Sequence, residues 1–301
     1  MKNMKKPMLL SNDEFDIESL DYTEMFQSKK RDGVRVEVSN QGLLNRSLKV
    51  LRNIKVQEYF KKTYENLPAN VIIEGEVHGD GIPCRVIAGV CNSDAHDIPK
   101  GLKLYLFGVF DKEKTFTERM VLLNDICKSI QSDRHEIIEQ VRVHSAKEVT
   151  DNYNKYIEEG FEGSVLMDGR KQYKEGRVTI LQHIGFKIKP HAEIDLLILD
   201  VTERFLNLNE SQTNELGRSF KRNTVDAKEG TGIAATFICQ MPDGKTTTKV
   251  SLTGEEAFRR EIWENKESYV GKYAVIKSMA YGTKDKLRHP RLVSIKDAVE
   301  K

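Results

Sequence analysis

The sequence predicts an α+β protein of two domains, strands interleaved with helices as far as residue 190 and a small β-barrel beyond it. Three observations carry this. Short apolar runs alternate with amphipathic stretches over the first part of the chain, and after Pro190 the pattern changes to closely spaced strands with few helices. The length, 301 residues, allows two cores but not many more. Hydrophobic residues at 39% and charged ones at 31% describe a globular chain, and no apolar run approaches the ~20 residues that cross a bilayer.

The basic start, Met1 to Lys6, is followed by only Met8-Leu9-Leu10 before acidic residues begin, so no signal-peptide core is present and a cytoplasmic location is expected. Residues 11–24, with Asp13, Glu14, Asp16, Glu18, Asp21 and Glu24, read as a solvated acidic lead-in. Next come Ser28-Lys29-Lys30-Arg31-Asp32-Gly33-Val34-Arg35 and the alternating Val36-Glu37-Val38. A lysine nucleophile needs cationic or apolar neighbours, because a free lysine with pKa near ~10.4 is protonated at neutral pH. Lys29, Arg31 and Arg35 can supply part of that field, Gly33 allows close backbone approach, and Arg35 offers a planar fork for phosphate or ribose oxygens. The same stretch, taken alone, also reads as a solvated Asp-Gly turn.

Asn45-Arg46-Ser47-Leu48-Lys49 reads as a turn and strand, residues 55–66 as a helix, and residues 71–77 as a strand carrying Glu74 and Glu76 at its end. Residues 102–110 form another strand. A helix is expected over 118–131 with Thr117 as its cap and Met120, Leu123, Ile126 and Ile130 inward. A second is bounded by the capping box of Ser145 and Glu148 and closed at Gly160. Two charged strands follow, 161–167 and 184–189, separated by the turn Tyr173-Lys174-Glu175-Gly176-Arg177. In the second, Lys187 and Lys189 share a face. Barrel strands are expected over 194–201, 232–240, 246–252 and 273–279, with Pro242-Asp243-Gly244 turning between the second and third and a helix over 255–265. Residues 207–230, with Arg218, Lys221, Arg222 and Lys228, read as a long polar loop.

The four cysteines, Cys84, Cys91, Cys127 and Cys239, form no Cys-x-x-Cys pair, which argues against zinc and for reduced thiols. The seven histidines show no ligand spacing. A net charge of +2 does not by itself indicate a nucleic-acid binder.

Taken together, the motifs resemble those of the ATP-dependent DNA ligases, the compact bacteriophage-type members most closely, from about residue 15 to residue 297. The resemblance implies an adenylyltransferase domain of antiparallel sheets with helices over 1–190 and an OB-fold over 191–301. It implies that Lys30 is adenylylated from ATP, with Ser28, Asp32 and Arg35 in the same motif, Arg35 contacting the nucleotide. It gives Arg46 the 5′-phosphate end, Glu76 the ribose hydroxyls, Phe110 the adenine ring and Glu162 the catalytic magnesium. Lys187 and Lys189 take the α-phosphate. Tyr105 and Phe107 lie near enough to Phe110 to compete for its role. The implied partner is nicked duplex DNA, clamped by a monomer with no membrane association. Its phosphates would be met by Arg218, Lys221 and Arg222 and, in the barrel, by Lys272, Lys277, Lys284, Lys286, Arg288 and Arg291. Three features depart from the family pattern: Arg31 in a slot more often uncharged, Lys296 where an arginine is usual, and Ala298 where a basic residue is usual. An RNA ligase, a GTP-dependent capping-type nucleotidyltransferase and a non-catalytic OB-fold nucleic-acid-binding protein are the alternatives.

Overall fold

The computed structural model describes residues 6–11, 13–190, 192–209, 211–213, 219–221, 227–279 and 287–297. The chain divides into two compact units, Met1–Lys189 and Pro190–Lys301.

In chain order the first unit contains β1 (Met25–Lys30), β2 (Val34–Ser39), β3 (Gly42–Leu44), α1 (Ile54–Tyr64), β4 (Ile73–His78), α2 (Cys84–Asn92), β5 (Lys103–Val109) and α3 (Phe116–Lys128). There follow β6 (His135–Ile137), β7 (Val141–Val143), α4 (Ala146–Glu158), β8 (Gly163–Asp168) and β9 (Gly185–Ile188). Two sheets result, of strand order β3-β2-β4-β5-β6 and β7-β1-β8-β9.

Period-two alternation decides what each face of the larger sheet carries. Val36, Val38, Ile73, Val77, Leu104 and Leu106 are buried in one core with Val56 and Phe60 of α1, Ile87, Val90 and Cys91 of α2, and Leu123 and Cys127 of α3. The intervening residues, Arg35, Glu37, Glu74, Glu76, Tyr105 and Phe107, therefore take the other face. In the smaller sheet Ser28 pairs with Val165 and Val165 with Lys187, a row of neighbours across three antiparallel strands.

Several elements differ from expectation. Helix α3 starts two residues early: Thr115, not Thr117, is its cap, in a complete capping box with Glu118. Ser145 caps α4, but Glu148 reaches back to the His144 N–H at 2.9 Å instead of that of Ser145. Helix α2 has no counterpart in the sequence reading. Its β-branched and glycine-containing run, Val86 to Val90, has weak helical propensity, and burial of Ile87, Val90 and Cys91 on one face overrides it.

The second unit is built on a closed barrel, β10-β13-β14-β16-β15. Its strands are β10 (Ala192–Asn207), β13 (Lys228–Gln240), β14 (Thr247–Ser251), β15 (Tyr273–Met279) and β16 (Arg288–Lys296), with α5 (Glu256–Glu264) and α6 (Lys266–Tyr269) between β14 and β15. The terminal basic motif thus contains a barrel strand, with Tyr273 opposite Lys296 and Val275 opposite Ser294. Most of the described residues of the expected long loop are paired: Phe205, Leu206 and Asn207 extend β10 against Gly230, Glu229 and Lys228, and the short strands β11 (Ser211–Thr213) and β12 (Ser219–Lys221) pair beyond them. Arg218, Arg222, Lys284, Lys286 and Ala298 lie outside the described residues, and for Lys221 and Arg288 only the backbone is described. Lys272 and Lys296 pair with Asp297 and Asp195 at 2.8 and 3.0 Å. No helix among the described residues is long and apolar enough to cross a membrane.

Candidate active site

A cavity of about 410 Å³ opens within the first unit, and its lining includes Ser28, Lys30, Arg31, Arg35, Arg46, Glu76, Lys187 and Lys189. That volume suits a nucleotide-sized ligand. Lys30 ends β1, and its backbone carbonyl accepts the Glu162 N–H at 2.9 Å, which seats the two side chains beside each other. The Glu162 carboxylate takes an ammonium on each oxygen, Lys30 on Oε2 and Lys189 on Oε1, the latter at 2.5 Å. Gly163 makes this possible: its φ is +150° and a Cβ there would stand 2.1 Å from the Ile188 carbonyl oxygen. Burial raises the Glu162 pKa, but Lys30 and Lys189 outweigh it and the carboxyl stays below its ordinary value. Lys187 has the opposite balance. Burial, then Lys189 and Lys30, bring its pKa down to about 8.

Behind these residues lies a second charged layer, from the inner face of β2 and β4. The Arg35 guanidinium donates to Glu37 Oε1 at 3.1 Å, to the Met8 carbonyl at 2.8 Å and to Glu74 Oε1. Burial opposes its charge, yet Glu74 and Glu37 outweigh that and raise its pKa. Glu37 is itself pushed up, by burial and then by the Glu74 charge. The Tyr173 hydroxyl joins the layer, donating to Glu74 Oε1 at 2.7 Å and accepting the Met8 N–H at 2.7 Å. Glu76 accepts the Gly33 N–H at 2.9 Å, and burial raises its pKa. A Cβ on Gly33 would meet the Val77 carbonyl oxygen at 2.3 Å, so only glycine lets this turn close on β4.

Three expected site residues are outside the cavity lining, Phe110, Asp32 and Glu162, the last joined to it through Lys30 and Lys189. Phe110 is 4% exposed in the core, its ring edge-on to Tyr173 at 5.1 Å, whereas Phe107 and Phe116 are the aromatic rings of the lining. Phe110 follows the end of β5 at Val109 and packs into the apolar cluster of Met8, Phe116, Met167 and Tyr173 instead of joining the lining itself. Asp32 is outside the lining, and its carbonyl oxygen stands 3.0 Å from His78 Nδ1. Arg31 lies flat on Tyr105, 3.6 Å from the ring centre, and pairs with Asp80 at 3.1 Å. Sequence reasoning gave no role to Glu37, Glu74, Arg119, Tyr173 or Met8. The available signal was charge at alternate positions of strands whose other face is wholly apolar, and an arginine on the apolar stripe Phe116, Arg119, Leu123, Cys127 of α3.

The family model described as the ATP dependent DNA ligase domain matches residues 7–182, more than half of the chain and nearly all of the unit that holds the cavity. The chain belongs to that family. The DNA ligase of African swine fever virus (strain Badajoz 1971 Vero-adapted) is 25% identical over 193 residues, 60% of this chain and 45% of the viral protein. The chain thus spans about half the length of the curated relatives it matches. Among solved structures, one from a structure-function study of Lig E DNA ligases superposes with a TM-score of 0.69 at 15% identity, covering 92% of this chain and 94% of its own. The Chlorella virus DNA ligase-adenylate superposes with a TM-score of 0.54 at 21% identity, covering 99% and 100%. At these identities the superpositions establish the fold alone, mixed α+β with a barrel.

No group of three or more His, Cys, Asp or Glu side chains among the described residues is placed to hold a metal. One buried carboxylate, Glu162, beside a cationic cavity suits magnesium that keeps its waters and takes its remaining oxygens from a bound triphosphate.

Proposed function

We propose that this chain seals 5′-phosphate/3′-hydroxyl nicks in duplex DNA through a covalent Lys30–AMP intermediate formed from ATP. The observation that carries the reading is the convergence of Lys30, Lys187, Lys189 and Arg35 on one nucleotide-sized cavity, with Glu162 bonded to Lys30 and Lys189 beside it, within a unit of the ligase family. In the first transfer the Lys30 nitrogen lone pair bonds to the α-phosphorus, the bond to the bridging oxygen breaks, pyrophosphate leaves and the lysine proton passes to solvent. In the second, a terminal 5′-phosphate oxygen attacks the same phosphorus and the P–N bond breaks. In the third, the 3′-hydroxyl attacks the 5′-phosphate, AMP departs and the strand is continuous.

Catalysis rests on position and charge. Lys187 and Lys189 neutralise the α-phosphate oxygens, Arg35 is held flat by two carboxylates to meet nucleotide oxygens, and Glu76 accepts from the ribose hydroxyls. Glu162 would hold magnesium, which supplies further charge neutralisation on the transferred phosphoryl group. Arg46, exposed on a turn that Asn45 ties to Ser47 and Lys49 and part of the cavity lining, would take the DNA 5′-phosphate. Lys277 and Arg291, opposite one another on β15 and β16, would meet backbone phosphates.

The test is incubation with magnesium and ATP or GTP labelled at the α-phosphate, followed by a denaturing gel. Label from ATP, lost in Lys30→Ala, is expected, followed by its transfer to nicked DNA. Label from GTP alone would assign the capping-type alternative, and no label on folded protein would leave only a binding module.

A further inference from the structure

Arg119 is 2% exposed, yet its Nε and Nη1 have no hydrogen-bond partner, and it makes no ion pair among the described residues. It projects from the first turn of α3 between Phe116 and Tyr173, with its guanidinium carbon 5.7 and 5.1 Å from those rings, and it lines the cavity. A guanidinium withdrawn from water with two nitrogens unpartnered is strongly disfavoured unless a ligand accepts from it. Beside it, Glu74 spends Oε1 on Arg35 and Tyr173, while Oε2 takes no hydrogen bond among the described residues. Only the absence of a side chain at Gly108 leaves Oε2 uncovered, since a Cβ there would stand 2.8 Å away.

We infer that Arg119 and Glu74 form the base-reading end of the cavity, Arg119 donating to a ring nitrogen of adenine and Glu74 accepting from its 6-amino group. This rests on the reading of the cavity as an ATP site. The phosphates are accounted for at Lys30 and Lys189, which meet on Glu162, and at Lys187 beside them. Apart from Glu74, Tyr173 and the buried Asp111, whose charge also acts on Arg119, the cavity walls on this side include Met8, Phe116 and Met167, suited to a flat ring. A neutral heterocycle offering one acceptor next to one donor matches the two idle groups, and burial makes Arg119 least tolerant of a ligand without that acceptor.

The experiment compares α-labelled ATP with 1-deaza-ATP, 7-deaza-ATP and purine riboside triphosphate, in wild type, Arg119→Met and Arg119→Lys, reading KM and maximal rate of Lys30 labelling. In wild type, one deaza analogue should raise KM about 10- to 100-fold, as should loss of the amino group. In Arg119→Met the KM for ATP should rise similarly, and ATP and that deaza analogue should become equivalent within about twofold. An unchanged preference for ATP over both deaza analogues in Arg119→Met, or no discrimination in wild type, would overturn the inference. Should Arg119→Met not fold by circular dichroism, Arg119→Lys and the wild-type analogue series decide. Calorimetric binding of the same nucleotides to Lys30→Ala, with and without the Arg119 change, separates the two readings. No label from ATP on wild type sinks the ligase mechanism, whereas discrimination in that binding upholds the role of Arg119 independently.

Discussion

Glu162 stands between two lysines, its Oε2 accepting from Lys30 and its Oε1 from Lys189 at 2.5 Å. With a side chain only 8% exposed, it is the anion that lets Lys30, Lys187 and Lys189 crowd one wall. Glu162→Gln keeps the shape and removes the charge. The rate of Lys30 labelling should fall by roughly 10²- to 10³-fold, with a weaker dependence on magnesium, as read from gels across a magnesium series. Folding stability should fall by about 1–3 kcal/mol at pH 7 in urea titrations. Because the Glu162 pKa is depressed, its contribution is complete above the ordinary value of 4.5 and is lost as pH falls through the lower folded value.

Lys187, brought down to about 8 by burial and its cationic neighbours, must be charged to meet a phosphate. In wild type, kcat/KM for ATP in self-adenylylation should decline above pH 8. Lys187→Arg, charged throughout, should flatten that limb. The same depression costs stability while the folded state carries the charge, at every pH below about 8, and the cost disappears between 8 and 10.5, where the folded lysine is neutral and the unfolded one still protonated. Lys187→Met should therefore melt higher than wild type at pH 7, with the difference closing by pH 10.5.

Tyr173 couples the N-terminal segment at Met8 to Glu74 and, through it, to Arg35. Tyr173→Phe strands a buried N–H and removes one donor from Glu74. A loss of about 1–3 kcal/mol in stability is expected, together with a higher KM for ATP at an unchanged DNA-sealing rate from preformed adenylate. Single-turnover assays started from ATP and from the isolated adenylate distinguish the two steps.

Gly33→Ala would drive a Cβ to 2.3 Å from the Val77 carbonyl oxygen and 2.9 Å from Glu76 Cγ. The turn must move off β4, at about 1–3 kcal/mol. Both thermal stability and nucleotide binding should drop, and a melt that matches wild type would refute the close approach.

Arg46, exposed and part of the cavity lining, makes no contact with Lys30 or Glu162. Arg46→Ala should leave Lys30 labelling within about twofold of wild type while slowing transfer of AMP to nicked DNA. If it holds one phosphate, the slope of log K against log salt should shrink by about 0.9.

The ligase reading was legible in the sequence because Lys30, Glu76, Glu162, Lys187 and Lys189, though separated along the chain, sit in short charged motifs whose order and spacing resemble those of the family. The class of fold and the presence of a barrel after Pro190 were legible because hydrophobic period reports which side of an element is buried. The Phe110 assignment failed because an aromatic one residue past a strand end can fall on either side, and only packing chooses. Helix α2 was missed because contacts with a sheet formed elsewhere in the chain outweigh the weak propensity of its own residues.

By itself, then, the sequence determined the period of the longer strands, the cap of α4 and the residues available to handle a phosphate. Tertiary structure decided what those charges do to each other. Glu162 binds two lysines because Gly163 lets β8 meet β9, and Arg35 is locked because β2 and β4 place Glu37 and Glu74 on one side of it. Arg119 is left with idle donors at the cavity wall because α3 packs it between two rings. Electrostatic strength depends on distance and burial, and both arise only when segments far apart in the chain are folded together.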